Sequence, residues 1–201
     1  PLERRAMFEV AHEAGLRKVG LVPEPVAGAL GCGLNPLEPS THLVVDIGGG
    51  TSEVTALCYG GVLSHRSCRI AGNDLNRAIL RYLRAEHELV VGEFTAERAK
   101  VGAPEVAEEQ PLVVEGRDAA TGRVRLVTLE TEEIMDAVRP TMTSIVQTLS
   151  ACLDDLPARA IGDVMAEGML AIGGGSMLRG LPQLLEEAFG LPVKAAERPL
   201  T

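Results

Sequence analysis

Two glycine triplets, Gly48-Gly49-Gly50 and Gly173-Gly174-Gly175, are the residues of this chain with the clearest chemistry. Each follows a short apolar run, Leu43-Val44-Val45 or Met169–Ile172, of the kind that forms a buried strand. Glycine lets the backbone approach an anion closely, and successive amides in such a turn form a nest for phosphate. Both turns are candidate phosphate contacts, although a tight turn without a ligand is an equally good interpretation of either triplet alone.

Asp46 lies two residues before the first triplet, and its carboxylate suggests that a cation binds beside the phosphate. A carboxylate beside a phosphate cradle would repel the phosphate unless a divalent cation lay between them. Mg²⁺ is the simplest such cation, since it binds carboxylates together with substrate phosphates. We therefore predict Mg²⁺ at Asp46.

The residues after each triplet distinguish the two turns. Alternation of apolar and polar residues follows the first triplet through Cys58, breaks at Tyr59-Gly60-Gly61 and resumes from Val62, which predicts a β-hairpin. A helical pattern follows the second triplet, entered through Ser176 and closed by Gly190. Neither triplet has the Lys-Ser/Thr pair of a P-loop, and the first lacks the following helix of a dinucleotide fingerprint.

The elements that position these turns alternate along the chain. Helices are predicted at about 2–14, 26–30, 73–88, 95–101, 131–154 and 161–167, and further strands at 19–22, 112–115 and 124–129. Thr95 is the predicted cap of its helix, and Pro140 predicts a break or kink. This order predicts an α/β fold with a mixed sheet and a smaller, mostly helical segment inserted between Asn73 and about Arg139.

Composition limits the class of protein. With 201 residues, 46% of them hydrophobic and 23% charged, the chain can bury a core in one or two domains. Its net charge of −9 argues against a nucleic-acid surface. No apolar stretch approaches the roughly 20 residues of a membrane span. These features predict a globular cytoplasmic protein with no nucleic-acid partner.

The segment Asp46–Thr51, with Glu24–Gly31 upstream and Ile172–Leu178 downstream, resembles the actin-like ATPase superfamily. Within it the chain is most similar to the MreB/Mbl family of bacterial shape-determining actins. The stretches that carry this narrower likeness are Asn35–Ser40, Arg69–Asp74, Gly92–Lys100 and Gly173–Leu181. Nearly all of the chain takes part in the resemblance.

The resemblance implies an actin-like, ribonuclease H-like α/β fold, with helices on both faces of the mixed sheet. It assigns 1–34 to the remainder of a first large subdomain. Segments 35–72 and 140–201 form the nucleotide-binding second large subdomain, and 73–139 is an inserted small α+β subdomain. The family's first phosphate loop, an Asp-x-Gly motif on an amino-terminal hairpin, has no counterpart here. We therefore expect a fragment without the amino-terminal part that is inactive alone.

The resemblance also implies site roles. Glu24 matches the acid that orients the water attacking the γ-phosphate, and Asp46 matches the residue that holds Mg²⁺ through water. The remaining matches are the phosphate loop Gly48, Gly49, Gly50 and Thr51, the adenosine loop Gly173, Gly174, Gly175 and Ser176, and the ribose and adenine pair Glu97 and Lys100. Without the resemblance, Glu24 reads as an exposed loop acid and Glu97 with Lys100 as a surface salt bridge. After Lys100 the pattern departs from the family, and Pro104 predicts an early helix end.

By the same resemblance, the full-length protein is expected to bind ATP and Mg²⁺ between two lobes and to hydrolyse ATP slowly. It would polymerise with itself. Its filaments, cytoplasmic and membrane-associated, would organise cell-wall synthesis with the cell-wall elongation machinery at the inner membrane face. The alternative is another ATPase of the superfamily, either the ATPase domain of a chaperone or a small-molecule kinase.

Overall fold

The computed structural model describes residues 2–102 and 111–196, which form an α/β protein with two sheets. The described helices are α1 (Leu2–Glu13), α2 (Glu24–Gly31), α3 (Gly72–Glu86), α4 (Glu93–Val101), α5 (Thr131–Asp154), α6 (Ala158–Glu167) and α7 (Leu181–Phe189). The strands are β1 (His42–Ile47), β2 (Ser52–Cys58), β3 (Gly61–Cys68), β4 (Leu89–Val90), β5 (Leu112–Asp118), β6 (Val124–Leu129), β7 (Met169–Ile172) and β8 (Val193–Ala195). A short 3₁₀-helix covers Gly174–Met177.

The larger sheet has the strand order β3-β2-β1-β7-β8. Strands β1, β7 and β8 run parallel, whereas β2 pairs antiparallel with both β1 and β3. Both faces of β1 are buried: Val45 and Ile47 face the core shared with α5, α6 and α7, and Val44 packs on the α2 side. Burial on two faces explains the nearly continuous apolar run of this strand. The predicted mixed sheet with helices on both faces is confirmed.

The smaller sheet, β4-β5-β6, is antiparallel and lies within the predicted insertion 73–139. Helix α3 packs on α4, and α4 packs on β5. The insertion therefore contains strands as well as helices, so the description "mostly helical" is incomplete. Its hairpin, joined across Asp118–Gly122, is confirmed by the pairing of Leu112 with Leu129 and of Arg117 with Val124.

Helix α5 runs unbroken through Pro140, so the predicted break does not occur. Pro140 lacks an amide and loses one helical hydrogen bond. Its ring lies on the exposed side of the helix, while Val138 and Met142 are buried in the core on either side of it. Tertiary packing of the apolar face therefore outweighs the local cost of the proline.

Three local predictions are wrong. Residues 19–22 form no strand, and Val22 is 62% exposed, because no strand of the described part lies beside them to complete a ladder. Helix α4 begins at Glu93 rather than at Thr95, with Gly92 as its N-cap, whose carbonyl accepts from the Thr95 and Ala96 amides. The second triplet leads first into the 3₁₀-helix Gly174–Met177, whereas the sequence predicts a longer helix entered through Ser176.

Helix α7 begins after that 3₁₀-helix, at Leu181, because Gly180 adopts a left-handed conformation with φ 74°. Ser176 therefore does not start the helix that Gly190 closes. No helix in residues 2–102 or 111–196 combines the length and apolarity needed to cross a bilayer.

Candidate functional site

A cleft of about 660 Å³ opens where β1 and β7 end. The predicted site residues that line it are Glu24, Asp46, Gly48, Gly49, Glu97, Lys100, Gly173, Gly174 and Gly175. Three predicted residues do not line the cleft. Gly50 and Thr51 are exposed on the first turn, and Ser176, which follows the second triplet, is buried. Residues that are distant in sequence, from α2 to the 3₁₀-helix, therefore share one cavity.

Parallel pairing of β1 with β7 brings the two triplets together. Asp46 is in register with Ile172, and the carboxyl ends of parallel strands lie at the same edge of a sheet. A Cβ at Gly173 would collide with Asp46 Oδ1 and the Ile47 carbonyl, and Gly173 has φ 79°. A Cβ at Gly175 would collide with the Ile47 side chain. Only glycine fits where these two turns meet.

The first triplet is held by the start of α3. The Gly72 amide donates to the Gly48 carbonyl (2.9 Å), and the Asn73 amide donates to the Gly49 carbonyl (2.8 Å). The Gly48 amide closes the turn on the Thr51 carbonyl (3.0 Å). Among the described residues, the Gly49 and Gly50 amides donate to no backbone partner. The turn is thus rigid, and it keeps free donors for an anion.

Lys100 and Glu97 form an ion pair at the wall of the cleft. Lys100 is buried, and its Nζ donates to Glu97 Oε2 (2.6 Å) and to the Gly72 carbonyl (3.4 Å). Asn76 Nδ2 also donates to Glu97 (2.7 Å). Burial acts to raise the pKa of Glu97, but the hydrogen bonds from Lys100 and Asn76 outweigh it, so this pKa is lowered. The pair is not the ordinary surface salt bridge that its spacing alone suggests.

The Asp46 carboxyl is half-buried beside a second acid. Burial raises its pKa above the ordinary value, and the negative charges of Glu24 and Glu53 raise it further. A cation at this edge would relieve that repulsion. Within the described ranges no three His, Cys, Asp or Glu side chains are arranged to hold a metal ion. An ion such as Mg²⁺, which keeps most of its water ligands, needs only one or two carboxylates from a protein.

Three polar contributors of the site are missing from the sequence prediction. Gly72 and Asn73 anchor the first turn, and Asn76 fixes Glu97. Asn76 Oδ1 is buried with no hydrogen-bond partner among the described residues, and Asn76 is not among the residues that line the cleft. Gly72-Asn73 was visible as part of the stretch that carries the family likeness, but nothing in the sequence marks Asn76. Pro104 lies outside the described residues, and α4 ends at Val101 with Gly102 as C-cap.

Comparison with known proteins places this cleft in context. The family model described as MreB/Mbl protein matches residues 1–201. The cell shape-determining protein MreB of Escherichia coli (strain K12) is 41% identical over 203 aligned residues, which cover 100% of this chain and 58% of that protein. The chain thus spans little more than half the length of this curated relative.

Two solved structures share the fold. MreB5 of Spiroplasma citri bound to AMPPNP matches with a TM-score of 0.87 and 31% identity over 99% of this chain and 61% of that one. A MamK double helical filament matches with a TM-score of 0.67 and 22% identity over 88% of this chain and 54% of that one. The MamK likeness concerns the fold alone.

Proposed function

The chain belongs to the MreB/Mbl family, and from this premise we propose that its cleft binds ATP with Mg²⁺. We further propose that the full-length protein is a filament-forming, slowly hydrolysing ATPase that determines cell shape. The relatives it matches are about 1.7 times as long, since the chain covers 58% of one and 61% of another. Hydrolysis and assembly are therefore assigned to the full-length protein.

The observation that carries nucleotide binding is the meeting of two glycine turns and a half-buried ion pair around one cleft. The segment Gly48–Thr51 would hold the phosphates through its free amides. Gly173–Ser176 would lie flat against the nucleoside, because the glycine backbone carries no side chain to hold the ligand away. Glu97 and Lys100 would contact the ribose and adenine. The related MreB5 structure contains AMPPNP, an ATP analogue, which supports this assignment.

Asp46 and Glu24 would divide the chemistry of hydrolysis. Asp46 would hold Mg²⁺ through water, and the ion would neutralise charge on the phosphates. Glu24 lines the cleft at the first residue of α2 and would accept a hydrogen bond from the attacking water. The water oxygen would bond to the γ-phosphorus as the bond to the ADP oxygen breaks, releasing ADP and phosphate. The 201 residues alone would hydrolyse ATP negligibly, since they supply phosphate donors from one glycine-rich phosphate loop only.

Membership of the MreB/Mbl family supports the proposal that the full-length protein assembles with itself. Head-to-tail association through a heterologous interface propagates into a filament rather than closing into a dimer. The name of the Escherichia coli relative, cell shape-determining protein, supports a role in shape. We propose that the filaments are cytoplasmic, attach to the membrane and organise cell-wall synthesis together with the cell-wall elongation machinery.

Calorimetric titration of the purified protein with ATP, with and without Mg²⁺, tests the nucleotide proposal. Binding that strengthens with Mg²⁺ is expected. In Asp46→Asn the Mg²⁺ effect should disappear. Glu53→Gln is the matched control, because Glu53 pairs with Asp46 across β1 and β2 but does not line the cleft. Equal Mg²⁺ dependence in Asp46→Asn and Glu53→Gln would remove the metal assignment.

A further inference from the structure

Asn76 is a buried polar residue that has no role in the proposed hydrolysis, although it contacts a residue of the cleft. It belongs to α3 and is 8% exposed. Its Nδ2 donates to Glu97 Oε2 at 2.7 Å. Because Glu97 belongs to α4, this hydrogen bond joins two helices at the wall of the cleft. Asn76 does not itself line the cleft, so it can act on a bound ligand only through Glu97.

The two carboxylate oxygens of Glu97 differ in their partners. Oε2 accepts from Asn76 Nδ2 and also from Lys100 Nζ, at 2.6 Å. Oε1 accepts no hydrogen bond from any group in residues 2–102 or 111–196. The Glu97 side chain lines the cleft and is 45% exposed, so a ligand in the cleft can approach it. The protein therefore fixes one oxygen of this carboxylate and leaves the other for a donor from outside.

Two donors on different helices orient this carboxylate more firmly than Lys100 alone would. The terminal torsion of a glutamate is broad, so a single donor leaves the carboxylate free to rotate. The second donor, from α3, removes that freedom. Burial acts to raise the pKa of Glu97, but the hydrogen bonds from Lys100 and Asn76 outweigh it, and the pKa lies below its ordinary value. Glu97 is therefore ionised at neutral pH, and an ionised carboxylate can only accept hydrogen bonds.

We propose that Asn76 is a positioning residue that holds Glu97 Oε1 toward a hydroxyl group of the bound sugar, so that the cleft selects ribonucleotides over their deoxy analogues. This inference rests on the proposed ATP site. A sugar without that hydroxyl would leave the ionised oxygen without its donor, and sites built to bind a hydroxyl discriminate on this basis. Because Glu97 is only half-buried, water can partly replace the missing donor. The expected discrimination is therefore about tenfold, the lower end for one hydrogen bond to a charged group.

Calorimetric titration of the purified protein with ATP, 2′-deoxy-ATP and 3′-deoxy-ATP, each with Mg²⁺, tests the selection. At least one of the two deoxy nucleotides should bind about tenfold more weakly than ATP. Equal affinity for all three nucleotides would overturn this inference and leave the ATP site standing. Absence of binding for all three would refute the ATP site and this inference with it. The comparison is made in the parent protein, so it does not depend on the folding of any variant.

Asn76→Leu tests the positioning role, because leucine has a similar volume but no donor. ATP should bind this variant about tenfold more weakly, whereas the affinity for the discriminated deoxy nucleotide should stay nearly the same. A merely structural defect would weaken both nucleotides alike. The control Gln147→Leu, which removes an exposed amide from α5, should keep the full preference for ATP. Asn76→Ala removes the same donor and replaces the leucine variant if that variant does not fold.

A second measurement reports on Glu97 directly. The NMR signal of its carboxyl carbon, followed through an acid titration, gives the pKa of Glu97 in each protein. In Asn76→Leu this pKa should rise toward its ordinary value of 4.5, because one of the hydrogen bonds that favour the ionised form is lost. An unchanged pKa of Glu97, or an undiminished preference for ATP over the deoxy nucleotide, would overturn the positioning role of Asn76.

Discussion

Replacing Lys100 by Met removes the ammonium group and keeps most of the apolar side-chain length. In the folded protein the ammonium donates to Glu97 Oε2 at 2.6 Å and to the Gly72 carbonyl at 3.4 Å. The variant therefore loses one short, charge-assisted hydrogen bond and one long, weak one. Asn76 still donates to Glu97, so the carboxylate keeps a partner.

The expected loss is about 1–2 kcal/mol in the free energy of unfolding. A hydrogen bond to a charged group contributes about 1.5–3 kcal/mol, and an exposed ion pair about 0–1 kcal/mol. The pair lies between these cases, because the Lys100 side chain is 3% exposed and that of Glu97 is 45% exposed. In a chain of this size the loss corresponds to a decrease of about 2–8 °C in Tm.

Urea denaturation of both proteins between pH 7 and acid measures this loss and its pH dependence. The pKa of Glu97 is lowered from its ordinary value of 4.5, so its ionised form stabilises the fold. That contribution is complete above pH 4.5 and is lost as the pH falls through the lowered pKa. The stability difference between the parent and Lys100→Met should therefore shrink in acid.

Lys18→Met is the matched control, since Lys18 is exposed and lies outside the helices and strands. It should leave stability nearly unchanged at every pH. If Lys100→Met were as stable as Lys18→Met, or if its deficit were the same at neutral and acid pH, the Lys100 ammonium would not stabilise this wall of the cleft through Glu97 and the Gly72 carbonyl.

Four further predictions follow from the site and the proposed assembly. Without nucleotide, Asp46→Asn should raise Tm at neutral pH but not in acid. The pKa of Asp46 is raised in the folded protein, so its ionisation above that pKa costs stability, which asparagine avoids; an unchanged Tm at neutral pH would contradict this. Gly173→Ala should lose more stability than Gly122→Ala in urea, because Gly173 has φ 79° and ψ 162°, which only glycine adopts readily, and a Cβ there would also clash with the Ile47 carbonyl; equal losses would refute the close approach. Leu126→Glu, at a 62% exposed position of β6, should stop the full-length protein from sedimenting as polymer in ATP and Mg²⁺ without weakening ATP binding, and undiminished pelleting would exclude this face from assembly. The 201 residues alone should release no phosphate steadily in a coupled assay, and steady release would refute the proposed need for the rest of the protein.

Much of the central sheet could be predicted from sequence because glycines and turn residues mark where its strands end. Buried strands β1 and β7 have apolar runs that end at glycines, and the β2–β3 hairpin alternates around Tyr59-Gly60-Gly61. Glycine and apolar periodicity are local signals, so they can be read without knowledge of contacts. The segment Val19–Val22 has the same apolar character but no neighbouring strand in the described residues, and pairing is not a local property.

The sequence allows prediction of the cleft-lining residues that belong to local motifs, but not of contacts between side chains that are distant in sequence. Asp46 and the two triplets are local motifs. Asn76, by contrast, reaches Glu97 from another helix, 21 residues away in sequence. The starts of α4 and α7 were also missed, because neither helix has a capping side chain. Helix α4 begins after Gly92, whose carbonyl accepts the first helical hydrogen bonds, and α7 begins after Gly180, which has a positive φ. Such positions depend on the backbone path, which sequence patterns describe only approximately.

A crystal structure of this protein grown with AMPPNP and Mg²⁺ tests the central claim most directly. We predict phosphate density against Gly48–Thr51, nucleoside density between Gly173–Ser176 and the Glu97–Lys100 pair, and a hydrated metal ion beside Asp46. Nucleotide bound elsewhere, or a cleft left empty at saturating nucleotide, would contradict the assignment of this cleft as an ATP site.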